Sequence, residues 1–126
     1  MGKKDIRAAF RKAVFERDHF TCRLCGKKFK PEDCDPAAGQ VNAHHITDRS
    51  LMPNGGYVVE NGITVCEDPC HRLVEEWHVQ GYDTKPRELL DHRRHVLLKH
   101  TPNYLYKLIG SSYEKAVTAS EKLDSK

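Results

Sequence analysis

The chain of 126 residues carries 21 Lys/Arg against 18 Asp/Glu, a formal net charge of +3, with 38% hydrophobic and 31% charged residues. That composition fits one polar domain with a thin core, and domains of this size often need a staple. No apolar run approaches the ~20 residues that a helical bilayer span needs.

In chain order, the opening Met1-Gly2-Lys3-Lys4-Asp5 lacks a hydrophobic signal core, and Ile6 stands where a myristoylation motif wants Ser or Thr. The expected location is therefore cytoplasmic. From Asp5 to about Arg17, apolar residues at Ile6, Ala9, Phe10, Ala13 and Val14 follow the i, i+3, i+4 spacing of one buried helical stripe. Arg7, Arg11 and Lys12 lie off that stripe, facing solvent or phosphate. Cys22-Arg23-Leu24-Cys25-Gly26 then reads as a compact turn presenting two thiolates to one ion, with Gly26 where the backbone must bend sharply. Residues 27–40 read as a surface loop.

Val41 to Ile46 is a strand candidate whose partner is either Tyr57-Val58-Val59 or Gly62 to Cys66, with a turn at Met52-Pro53-Asn54-Gly55-Gly56 between them. Asp68 as N-cap and Pro69 at the first helical position predict a helix from there to about Val79. Further helices are expected over Pro86 to about His100 and from Thr101-Pro102 through Leu108 or Ile109. Residues 111–126 read as polar and frayed.

Five cysteines are an odd number for a disulfide framework. Cys22-x2-Cys25 and Cys66-x3-Cys70 instead have the close-pair pattern of a zinc knuckle, leaving Cys34 over. Charge is also unevenly distributed: residues 1–30 are net +7, residues 31–83 net −8 and residues 84–126 net +4. An acidic centre between basic arms suits a cation site placed between surfaces that grip a polyanion. The arms alone would fit ordinary solvated helix faces equally well.

Between the cysteine pairs lie His44, His45 and Asn61, with His71 directly after Cys70. Histidine is both a metal ligand and the side chain best suited to take a proton near neutral pH, so the cluster suggests metal-assisted hydrolysis. Adjacent side chains in an extended segment point to opposite faces, so His44 and His45 cannot both meet one ion. A division between ligand and base follows. Glu75, four residues after His71, shares its helical face and reads equally well as a third ligand or partner of a ligand and as a solvated glutamate. Arg49 and Arg72 are phosphate-clamp candidates, and either reads equally well as a plain surface charge. His78 could back the metal site, or be a structural helix-end histidine.

The order Cys22-x2-Cys25, Ala43-His44-His45-Ile46, Glu60-Asn61-Gly62-Ile63, Cys66…Cys70-His71 resembles the HNH endonuclease family, most of all its small phage and bacterial members. The lead-in Val14-Phe15-Glu16-Arg17-Asp18-His19-Phe20-Thr21-Cys22 and Pro53-Asn54-Gly55-Gly56 are similar too, and the likeness spans roughly residues 6–78. The resemblance implies an α+β fold: a ββα-metal (His-Me finger) core with a two-stranded ribbon, a zinc knuckle and flanking helices. It implies a single nuclease domain over residues 1–110 and a polar C-terminal tail over residues 111–126. By position, His45 would be the general base and Asn61 would hold the connecting loop so that His45 stays oriented. His44 and His71 would bind one catalytic divalent cation, and Cys22, Cys25, Cys66 and Cys70 a structural Zn²⁺, with Cys34 the fallback ligand.

Two departures from the family pattern are visible. The second cysteine pair has three intervening residues where two is commoner, and His44 stands where many members have Asp. Loss of that negative charge predicts that Mn²⁺, Co²⁺, Ni²⁺ or Zn²⁺ serves at least as well as Mg²⁺. The expected partner is double-stranded DNA, nicked or cut in a bacterial cell or phage-infected host by a monomer or homodimer. The alternatives are a zinc-stapled nucleic-acid-binding module that no longer cuts, and a zinc-centred domain for protein partners.

Overall fold

The computed structural model describes residues 2–79 and 103–123. The helix expected over Pro86 to His100 and the side chain of His78 lie outside the described residues. The order of elements is α1 (Lys3–Arg17), β1 (Val41–His45), β2 (Gly62–Cys66), α2 (Arg72–Val79), α3 (Asn103–Leu108) and α4 (Tyr113–Glu121). The fold is thus a small α+β arrangement, and no helix among the described residues is long and apolar enough to cross a membrane.

The two strands pair antiparallel, with Val41 opposite Cys66, Ala43 opposite Thr64 and His45 opposite Gly62. Of the two partners open to β1 in the sequence, the chain uses the later one. The apolar run Gly62 to Cys66 is buried at every position, whereas Val59 to Asn61 curl into a 3₁₀ turn. Ile46, Ile63, Val65, Val74, Leu105 and Tyr106 form one core with the buried cysteines.

Helix α1 is seated on the ribbon by a close approach at Gly62, where a β-carbon would collide with the side chains of Val14 and Phe10. Its C-terminal end is pinned by Arg17 and Asp18. The Arg17 guanidinium donates to both Asp18 carboxylate oxygens at 2.8 and 2.7 Å, and to the carbonyls of Val59 and Gly62 at 2.6 Å each. Asp18, 2% exposed, in turn accepts the Thr64 backbone N–H at 2.9 Å. Buried charge here is both paired and hydrogen-bonded, the condition under which it is tolerated.

Two expectations are corrected. Helix α2 begins at Arg72, not at Asp68-Pro69, because residues Glu67–His71 form a separate wide turn in which Asp68 is extended (φ −140°, ψ 122°) and the Asp68–Pro69 peptide is cis. That turn brings Cys70 back beside Cys66, which a helix starting at Pro69 has no need to do. Residues 111–126, expected to fray, hold α4, capped by the Ser112 hydroxyl on the Lys115 N–H. Its Ala116 and Ser120 are fully buried. Asn54 donates to the Ser120 carbonyl at 3.0 Å, fastening the helix to the loop between the strands.

Candidate metal centres and cleft

The first site is built by a knuckle. Residues 21–28 fold back on themselves, with a bridge between Thr21 and Lys28 and a 2.8 Å hydrogen bond from the Cys22 N–H to the Lys27 carbonyl. Gly26 makes the bend with φ +82°, a conformation glycine adopts without penalty. The Arg23 N–H donates to the Thr64 carbonyl at 2.9 Å and so docks the knuckle on β2.

This leaves Cys22, Cys25, Cys66 and Cys70 with their sulfurs all within 4.8 Å of one another, and Cys25 and Cys66 at 3.7 Å. Four thiolates about a tetrahedral ion at ~2.3 Å stand ~3.8 Å apart, so the cluster can hold a metal ion such as zinc. All five cysteines are free thiols, and Cys34 is not one of the four. Burial raises the Cys22 thiol, but N–H bonds from Cys25, Cys66 and Leu24 outweigh it and bring it down to about 7. Burial, with the neighbouring sulfurs, pushes Cys66 and Cys70 up.

The second site gathers His44 from β1 with His71 and Glu75 from the turn and helix after β2. One donor atom from each lies within 4.8 Å of the others. His44 Nδ1 is 3.6 Å and His71 Nε2 3.1 Å from the same Glu75 oxygen, and the two imidazole centroids are 5.9 Å apart. Donors at ~2.1 Å around one ion stand ~3–4 Å apart, so two imidazoles and a carboxylate fit a divalent cation without rearranging the backbone. Glu67 approaches the other His71 nitrogen at 3.4 Å and takes a hydrogen bond from Asn42. His71 is thereby held between two carboxylates.

His45 faces the opposite side of the ribbon, as strand alternation requires. Its ring stacks on Phe10 of α1 at 4.5 Å and meets Tyr57 edge-on at 4.7 Å. Both histidines nonetheless line one cleft of about 480 Å³ that runs along β1. Arg7, Arg11 and Arg49 line it as well. Lys12 does not: it is exposed and pairs with Glu16 at 3.0 Å. Arg72 is also turned away, exposed beside Asp68 at 4.0 Å.

Asn61 is buried beneath the cleft. Its carbonyl oxygen accepts the Thr47 N–H at 3.0 Å and the Tyr106 hydroxyl at 2.7 Å, and its amide donates to the carbonyls of Thr47 and Gly56. Both ends of the loop from 46 to 57 hang from this one side chain. Sequence reasoning missed Tyr57 and Tyr106. Neither sits in a recognisable pattern, although an aromatic directly after Asn54-Gly55-Gly56 was a usable signal for Tyr57.

Comparison with known protein families, with curated proteins and with solved structures finds no match for this chain.

Proposed function

We propose that the protein is a metal-dependent endonuclease of the HNH type, hydrolysing phosphodiester bonds in double-stranded DNA. The observation that carries the reading is the shared cleft. A His44–His71–Glu75 donor set lies on one side of the ribbon and His45 on the other, and three arginines line the space they share. The chain order β1, β2, α2 around the donor set supports a ββα-metal core, and the four-thiol cluster supports a structural Zn²⁺ behind it.

His44, His71 and Glu75 would hold the divalent cation, which when bound supplies Lewis acidity at phosphate oxygens and the departing 3′-oxygen. His45 takes the proton from the attacking water. Phe10 and Tyr57 restrict the rotation of its ring, and Asn61 fixes the loop that follows it. Arg7, Arg11 and Arg49 receive the negatively charged backbone of the duplex.

Supercoiled plasmid incubated with Mn²⁺ or Mg²⁺ tests this. Wild-type protein should give nicked or linear product, and His45→Ala at equal zinc content should give none. Product of equal yield from His45→Ala would remove His45 as the base. Duplex binding without any cleavage would favour the zinc-stapled binding module. A strict requirement for Mg²⁺ across a panel of cations would refute the imidazole-rich donor set.

A further inference from the structure

We propose that Tyr57 is a positioning residue that couples capture of the substrate's phosphate backbone to the orientation of His45. This rests on the hydrolytic reading above and adds a residue and a substrate contact to it. Tyr57 lies at the end of the loop between β1 and β2 and joins two groups that otherwise do not meet. With its ring it stands perpendicular to His45 at 4.7 Å and to Phe10 at 5.7 Å, closing the slot in which the imidazole stacks. With its hydroxyl it accepts a 2.9 Å hydrogen bond from Arg49 Nη1, and Arg7 of α1 acts on the same oxygen.

The ring is itself fixed from below. Gly55, at φ +80°, lies so close that a β-carbon there would stand 2.9 Å from the Tyr57 ring. The chain leaves that room only because the residue is glycine.

Arg49 is fastened beside the cleft by an uncharged oxygen, and Arg7 lines the same cleft. Among the described residues, no carboxylate lies within 4.0 Å of either one, and Asp48 and Glu75 act on Arg49 only from farther away. A guanidinium has five N–H donors, and the phenol takes one of them from Arg49, leaving the rest for a doubly accepting phosphate. The ligand that fits two adjacent guanidiniums beside the reacting phosphate is a neighbouring phosphodiester of the same strand. Burial pushes the Tyr57 phenol up, but the hydrogen bond from Arg49 and the nearby positive charge of Arg7 more than reverse it.

The test separates hydroxyl from ring. Binding of a fluorescein-labelled random-sequence DNA duplex is followed by anisotropy without added divalent cation, and cleavage is followed separately with Mn²⁺. Tyr57→Phe keeps the ring: duplex binding should weaken about tenfold, with kcat within about twofold of wild type. Tyr57→Leu removes the ring as well, and kcat should fall about tenfold further. The double variant Tyr57→Phe/Arg49→Gln should bind no worse than Arg49→Gln alone, because the hydroxyl acts through Arg49.

Unchanged binding by Tyr57→Phe, or additive losses in the double variant, would overturn the phosphate half of the proposal. Equal kcat for Tyr57→Phe and Tyr57→Leu would overturn the half that concerns His45. Should Tyr57→Leu fail to fold, by zinc content and circular dichroism, the Tyr57→Phe/Arg49→Gln cycle still decides the phosphate half, and Tyr57→Met takes the place of Tyr57→Leu for the half that concerns His45. Should wild-type protein cleave nothing with any cation, the hydrolytic reading fails, and the anisotropy arms judge the phosphate contact independently.

Discussion

Asn61 carries four hydrogen bonds from a position with no solvent exposure, to Thr47 twice, to Gly56 and to Tyr106. Substitution by alanine takes their Asn61 partner from the buried Thr47 N–H and from the carbonyls of Thr47 and Gly56, each costing roughly 1–3 kcal/mol, whereas the Tyr106 hydroxyl keeps Thr47 Oγ1 at 2.7 Å. Asn61→Ala should therefore lose about 3 kcal/mol or more, read as a lower urea midpoint at unchanged slope. The thiols make a pH prediction. Cys66 and Cys70 are raised by burial and hold their protons when no ion is bound, so metal binding must release them and affinity rises with pH. Cys22, held down to about 7, adds a third competing proton as the pH falls through that value. Zinc release to a chromophoric chelator should thus be slight at pH 8 and steepen below pH 7.

At the level of elements, the joint between α1 and β2 depends on one missing side chain. Gly62→Ala drives a methyl group into Val14 and Phe10, and overpacking of this kind costs about 1–3 kcal/mol. Phe10 also stacks on His45, so the same change should lower nicking rate more than it lowers the thermal midpoint. Much of the element plan was legible in the sequence. The stripe of α1, the turn at Gly26 and the opposite facing of His44 and His45 follow from helix and strand periods and from glycine's freedom, which are local properties. The start of α2 was not legible, because Asp68-Pro69 has a strong local preference that the return of Cys70 to Cys66 overrides. Helix α4 was hidden for another reason. Its inward side is made of small residues, Ala116 and Ser120, which leave no apolar periodicity to read. The role of Tyr57 shows in its contacts, with Phe10 and His45 across the fold and with Arg49 within its own loop.

For the molecule as a whole, the two candidate centres are joined at Cys70-His71, and adjacent substitutions should give different failures. Cys70→Ser opens the buried thiol cluster and should unfold the ribbon and α2 together, seen as loss of both zinc and cooperative melting. His71→Ala, at a partly exposed residue, should leave zinc content and the melting transition in place while abolishing loading of Mn²⁺ at the second centre. If both variants unfold, the two centres are one structural unit. The join also sets an order of events. Neighbouring Cα atoms lie ~3.8 Å apart, so wherever the thiol cluster anchors Cys70, His71 is anchored within one peptide length. Its donor nitrogen is then confined before any substrate arrives. A chain with no ion at the thiol cluster would therefore lack not only stability but also a formed second donor set.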